Sequence, residues 1–423
     1  MEEPEEKRIR IELPLEVDIY EESYEQKYEQ KYEQTYEDPL GSNVCLTYDI
    51  LRIVFRYLNG RDLSSVAMVC RSWLEAANNE KCLRGPYCFI EHYKPVDICA
   101  SHEKRLAQSL DYIKESTIKP SIGFFFLSLE TPHDIKSRIC ELLPKNCEAI
   151  MLFTHSIILN NNEMEHPYPN MVCALLPQIP NVKISVVKVT DRALGGDKYT
   201  EYMQMIEEAS RQDDESTCLM LFCNRYGHSM GSYMASLARL SNDERIISLW
   251  GGVVEEMQYV HINNERFIEE ESNVAKPYCV ALLLTGSIQT WSIVVNRKCK
   301  TKEQVEEKLK LFKQQVKLQK HSVGFMFACV ARGKYMYHEE NVESTIFKRL
   351  FPEVPLVGCF GNGEFGKDST VYNPELSVLQ YRKKFKNVSK NLYPLCQRNY
   401  STRRHKSPWH NEFSTMFMIL TYG

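Results

Sequence analysis

Apolar residues recur along this chain with two different periods, and the change of period divides it. Ile50, Leu51, Val54, Phe55 and Leu58 fall at i, i+1, i+4, i+5 and i+8, which predicts a short amphipathic helix. Asn59 and Gly60 predict its end, with Gly60 as a left-handed cap. Asp62 is the expected N-cap of the next helix, whose buried side is Leu63, Val66, Ala67, Val69, Cys70 and Trp73. From residue 85 onward, strand-like and helix-like stretches alternate. Strands are predicted over 122–129, 149–153, 219–223 and 323–330. Helices are predicted over 134–143, 200–211, 233–240, 302–318 and 343–351. Such alternation predicts an α/β domain behind a small helical one.

The large domain also repeats itself. An apolar strand leads into a polar or glycine-rich turn, and a strand of small and aliphatic residues follows later. The copies are 150–153 with 172–176, 247–252 with 279–284, and 356–366 with 413–420. The first two share a further strand after a short gap, 182–189 and 288–295. This pattern predicts recurring hairpins with helices crossing between them.

Charge changes the picture at both ends. Residues 1–38 carry 14 acidic and five basic side chains, and Tyr24, Tyr28, Tyr32 and Tyr36 each open a tetrapeptide close to Tyr-Glu-Gln-Lys. With few aliphatic residues to bury, this stretch is expected to be a disordered acidic tail. Residues 375–410 carry nine Lys or Arg and one acidic residue, a basic insertion. The whole chain has a net charge of −4, so a nucleic-acid partner is not expected. Its apolar runs are about eight residues long, against the ~20 of a membrane helix, so no membrane partner is expected either. Fifteen cysteines, without a CxxC pair, predict reduced thiols in cytoplasm or nucleus.

Residues 46–73 carry a resemblance. Tyr57-Leu58, Asp62-Leu63 and Val69-Cys70-Arg71 with Trp73 match the F-box pattern in order and spacing. The resemblance implies docking on the Skp adaptor of a cullin-RING ubiquitin ligase. Leu46, Ile50, Phe55, Leu58, Leu63, Val69 and Trp73 are the expected adaptor-binding residues, although some must form the module's own core.

A second resemblance lies further on. Residues 321–333, 347–355 and 356–366 resemble the FIST domain, which some F-box proteins share with bacterial signal-transduction proteins. The expected fold class is therefore α+β or α/β. A small helical F-box precedes a FIST-like domain of repeated strand-rich units with crossing helices. Expected boundaries are 1–42 for the tail, 43–84 for the F-box, 85–246 for the N-terminal part of the FIST-like domain and 247–423 for the C-terminal part.

The turn from Gly358 to Gly366 has two readings. Gly358, Gly361, Gly363 and Gly366 surround Asn362 and Glu364, and the spacing permits positive φ and close backbone approach. It is either a tight turn against a strand or a pocket exposing amides to a ligand or target. Cys329 ends a buried strand near Arg332, and a neighbouring cation would favour its thiolate. Cys329, Arg332, Gly358, Gly361, Asn362, Gly363, Glu364 and Gly366 are the candidate substrate or ligand pocket.

Nothing reads as catalytic. Gly227-His-Ser-Met-Gly231 has the outline of an esterase elbow but no partners at defined spacing. Cys88, His92, Cys99 and His102 fit zinc spacing poorly. No cofactor or metal is expected, and the chain is read as non-catalytic. The expectation is the substrate-recognition subunit of a Skp-cullin-F-box ligase, the F-box docking to the adaptor and the FIST domain capturing protein substrates for degradation. The alternative is a small-ligand sensor whose F-box-like hairpin is structural.

Overall fold

Helices come first. The computed structural model describes residues 47–92, 113–131, 135–164, 170–190, 196–208, 216–242, 245–263, 276–369 and 409–423. The acidic repeats and most of the basic insertion lie outside the described residues. Helices α1 (Tyr48–Phe55), α2 (Gly60–Val66) and α3 (Arg71–Leu83) close on a small core of Leu51, Phe55, Leu63, Ala76 and Ala77. Two details differ from expectation. Asn59, not Asp62, is the N-cap of α2, and its side chain accepts the Asp62 N–H at 2.8 Å. The stretch 63–73 is not one helix, because the chain turns at 67–70 before α3 begins.

Gly60 is the first residue of α2 rather than a left-handed stop. Its N–H donates to the Ser116 carbonyl at 2.8 Å, and a Cβ there would fall inside the Ile118 carbonyl group. The absence of a side chain, not a special φ, lets the helical module approach the large domain. Arg84 bridges the same junction, with Nη2 donating to the Phe55 carbonyl at 2.7 Å and Nη1 to the Thr117 carbonyl.

Three units of one design follow. The first contains β1 (Tyr87–His92), β2 (Pro120–Ser128), α4 (Ile135–Leu142), β3 (Glu148–Thr154), β4 (Ile157–Leu159), β5 (Asn162–Met164) and β6 (Asn170–Pro177). The second contains β7 (Val182–Val189), α5 (Gly196–Glu208), β8 (Ser216–Asn224), α6 (His228–Asn242), β9 (Ser248–Val254), β10 (Glu256–His261) and β11 (Cys279–Gly286). The third contains β12 (Gln289–Val295), α7 (Lys302–Gln315), β13 (His321–Cys329), α8 (Gly333–Tyr337), α9 (Val342–Leu350), β14 (Leu356–Gly361), β15 (Glu364–Gly366), β16 (His410–Asn411) and β17 (Thr415–Tyr422).

Each unit supplies an edge strand, a parallel strand–helix–strand pair, a short arm and a return strand. The sheets run β1-β6-β2-β3-β10, β7-β11-β8-β9-β15-β16 and β12-β17-β13-β14-β4-β5. In each, the parallel pair is bordered by an arm from a different unit. The second unit's β10 pairs with β3, the third unit's β15 with β9, and the first unit's β4 with β14. The exchange is cyclic. The expected boundary at 246/247 therefore falls inside the second unit, between α6 and β9. The expected hairpins are also corrected: β6 and β7 belong to different sheets, as do β11 and β12. Each short connection carries the chain onward to the next sheet instead of folding it back.

The central strands are covered on both faces, which is why they read as unbroken apolar runs. Along β2, Phe124 and Phe126 turn to a core shared by all three sheets, while Phe125 and Leu127 turn outward to Ile135 and Ile139 of α4. In the shared core, the Trp250 ring lies 5.1 Å from Phe325 and 5.5 Å from Phe222, and Phe124 lies 5.4 Å from Phe325.

Substituting Gly60 with Val tests the junction. The added side chain meets backbone that cannot move aside, so a loss on the order of 1–3 kcal/mol is expected, as for other overpacked sites. Thermal unfolding should show a lower midpoint, whereas an unchanged midpoint would contradict the close approach.

Candidate functional site

The F-box-like helices are apolar on more than one side, and the structure sorts the expected adaptor residues. Phe55 and Leu63 are interior, each 1% exposed. Leu58 and Trp73 pack partly against that interior, with the Trp73 ring edge-on to Phe55 at 5.5 Å. Ile50 and Val69 face outward. Leu46 lies outside the described residues. Four further outward residues are not among the expected adaptor residues: Ile53, Val54, Tyr57 and Met68, the last two 86% and 82% exposed. The signal was present, since an eight-residue helix with apolar residues all round has more apolar surface than one small core can cover. An exposed apolar patch of this kind marks an interaction surface.

The Gly358–Gly366 region is built for packing. A Cβ at Gly358 would fall inside the Met326 carbonyl, and one at Gly366 would collide with the Met416 side chain. Only Gly363 has the φ that favours glycine, +153°. The amides are engaged, with Asn362 N–H donating to the Val253 carbonyl at 2.8 Å and Gly366 N–H to the Trp409 carbonyl at 2.9 Å. They do not form an open cradle for an anion, so the tight-turn reading describes this backbone. Asn362 alone of the set is exposed, and it donates to Glu255 Oε1 at 2.6 Å.

Arg332 is wholly buried. Its Nε donates to Glu343 Oε1 at 2.7 Å, its Nη1 to the Phe413 carbonyl at 3.1 Å, and its Nη2 to the Cys299 carbonyl at 3.0 Å and the Tyr337 hydroxyl at 2.7 Å. Its charge is spent on Glu343 and on holding α8, α9 and two loops together. It therefore cannot face a target carboxylate, nor does it activate Cys329. Burial pushes the Cys329 thiol up to about 11, and the neighbouring Glu364 carboxylate adds to the effect. Glu364 is itself buried. Its Oε2 accepts the Ser414 N–H at 3.1 Å, and it hydrogen-bonds the Cys329 thiol. Burial raises its carboxyl to about 8 against the pull of these donors. A buried neutral acid beside a buried thiol is a quiet pair, not a nucleophilic site.

The esterase-like pentapeptide spans the turn from β8 into α6. Ser229 is exposed, and the polar chain nearby uses a different serine. His410 contacts Ser232 Oγ through Nδ1 at 3.1 Å and His228 Nε2 through its own Nε2 at 2.9 Å. No sequence signal links His228 to His410, because 182 residues separate them. Among the described residues, no group of three or more His, Cys, Asp or Glu side chains is placed to hold a metal. No described helix is long and apolar enough to cross a membrane.

Comparison with known proteins agrees with both resemblances. The F-box-like family matches residues 48–88, and the FIST C domain family matches residues 197–367. F-box only protein 22 of Homo sapiens is 25% identical over 355 residues, covering 76% of this chain and 85% of that protein. Its Pongo abelii counterpart is 26% identical over the same coverage. Among solved structures, cyanuric acid hydrolase from A. caulinodans aligns with 80% of this chain and 99% of its own at 8% identity and a TM-score of 0.32. A score that low carries no statement about chemistry.

Two measurements test the buried charges. Arg332→Ala leaves Glu343 buried and unpaired, and should cost about 3–5 kcal/mol in urea unfolding. A wild-type midpoint would show that the pair is not buried. Glu364 behaves differently. Its carboxyl stays protonated in the folded chain up to about pH 8, but ionises in the unfolded chain from its ordinary value of 4.5 upward. Its contribution is therefore full in acid and lost as pH rises through about 8. Glu364→Gln, neutral throughout, should gain stability relative to wild type between about pH 5 and pH 9. A gap that stays constant with pH would mean that the carboxyl titrates normally.

Proposed function

We propose that this chain, which carries an F-box-like segment and a FIST C domain and is similar to F-box only protein 22, is the substrate receptor of a Skp-cullin-F-box ubiquitin ligase. The observation that carries this reading is the uncovered apolar patch on the helical module. Ile53, Val54, Tyr57, Met68 and Val69 are exposed, while Leu51, Phe55 and Leu63 already satisfy the module's own core. A hairpin with only a structural role would have no use for the outer set.

The module does no bond chemistry in this reading. It docks on the adaptor, and the large domain holds a protein substrate so that a target lysine has a high effective concentration near the charged conjugating enzyme. The junction at Gly60 and Arg84 serves that purpose, because a braced module transmits a defined orientation. His321 and Lys320, at the start of β13, add contacts to the Cys82 carbonyl at 3.1 Å each. Substrate capture is assigned to the opposite ends of the central strands, where Tyr226, Val330 and Phe413 are exposed. Cytoplasm and nucleus are the compartments in which exposed thiols such as Cys70 and Cys82 persist.

Tyr57→Glu and Met68→Glu provide the test. Both side chains are exposed, so thermal stability should stay near that of the wild type. Each substitution should weaken co-purification with the Skp adaptor by about 2 kcal/mol or more, as removal of a central interface anchor does. Adaptor binding that survives the double substitution would sink the reading.

A further inference from the structure

Two cysteines face each other at the end of a strand ladder in the second unit. Cys223 on β8 and Cys279 on β11 are directly opposite in the antiparallel register. The Asn224 N–H donates to the Tyr278 carbonyl at 3.0 Å, so the backbone bonds straddle the cysteines, which form a pair of the non-hydrogen-bonded kind. In such a pair the Cα atoms stand about 4.5 Å apart and the side chains come closest. A disulfide takes Cα separations of about 4.4–6.8 Å, so the backbone already meets its requirement. The two Sγ atoms are 2.9 Å apart.

Both thiols are fully buried, and their surroundings hold them in place. The Cys279 thiol donates to the Gly227 carbonyl at 3.3 Å. A Cβ at Gly231 would lie 2.3 Å from Cys223 Sγ, so this glycine lets the first turn of α6 close over the sulfurs. The Gly231 N–H reaches Cys223 Sγ and is a ready donor to a thiolate. Burial opposes ionisation and holds the Cys223 thiol well above its ordinary range. The pair is the last of its ladder, however, and both chains come to the surface within a few residues of it, at Arg225 and Lys276. Ladder ends open locally at lower cost than the middle of a core strand. A small oxidant therefore reaches the sulfurs from that end, slowly, without unfolding of the domain.

We propose that Cys223 and Cys279 are an oxidisable dithiol, which a hydroperoxide converts into a disulfide in the folded chain. The Cys223 thiolate attacks one oxygen of the peroxide, the O–O bond breaks, and Cys223 becomes a sulfenic acid. With hydrogen peroxide the leaving hydroxide takes up the thiol proton and departs as water. Cys279 then attacks the sulfenic sulfur, the S–O bond breaks, and a second water leaves with the Cys279 proton. One peroxide is reduced to two waters while the two thiols are oxidised to one disulfide. The new bond removes the S–H donor from the Gly227 carbonyl and staples β8 to β11 beneath the turn that displays Arg225 and Tyr226. The site is independent of the adaptor patch.

Peptide mapping of the full chain tests this. The native protein is exposed to millimolar hydrogen peroxide, the peroxide is removed, and the remaining thiols are alkylated with N-ethylmaleimide in denaturant. Tryptic peptides 212–225 and 267–297 should then appear joined, and fragment ions between Cys218 and Cys223 should place the link at Cys223. The linked protein should unfold about 5 °C above the reduced form, because the bond joins residues 56 apart in the chain, and dithiothreitol should reverse the shift. Cys279→Ser should show neither the link nor the shift, and the map of the unsubstituted chain decides the matter even where that variant folds poorly. Three results would each overturn the proposal: both cysteines recovered alkylated after the exposed Cys70 and Cys82 have been oxidised, Cys223 joined to a different cysteine, or a link that forms only when peroxide is added in denaturant.

Discussion

An unpaired strand edge beside a buried parallel pair is the constraint on which this molecule depends. β3, β9 and β14 each have one side satisfied by their own unit and the other left with open amides and carbonyls. Buried backbone groups must be paired, and each unit meets this need with an arm from a neighbour. The exchange brings three inner faces together and creates the core in which Trp250, Phe222, Phe325 and Phe327 interlock. Everything else is placed by it. The outward faces of the strands take the helices, and one end of the core carries the Gly358–Gly366 turn.

Polar chemistry inside the third unit is spent on order rather than reaction. Arg332, Glu343 and Tyr337 form one buried knot, with Tyr337 donating to Glu343 Oε1 at 2.6 Å. Such a network specifies a unique arrangement of α8, α9 and the 413 loop, and it is costly to break in part. The helical module follows a different logic. Its interior is small, and its remaining apolar surface is directed outward, where another chain can cover it.

Much of this was legible in the sequence, and the failures have physical causes. Strands such as 122–129 were plain because both of their faces are buried. The repeat was plain because three return strands meet the same environment. The hairpins were misread because alternation along 172–176 and 182–189 tells which face is buried, not which sheet the strand joins. In the F-box-like segment, Phe55 and Ile53 are alike in type, and only packing separates the interior one from the exposed one. Arg332 looked available because a charge near a strand end usually is, yet Glu343 lies only eleven residues further on.

The cyclic exchange of arms also sets the order in which the chain can fold. Asn160, just beyond β4, hydrogen-bonds Leu356 at the start of β14, 196 residues later. At about 5–20 residues per second, a ribosome needs about 10–40 s to deliver that partner. Until then the first unit is a sheet with an open border, and its arm has nowhere to lie. Contacts of such long range make closure slow, so the newborn chain carries an unpaired strand edge until its third unit emerges.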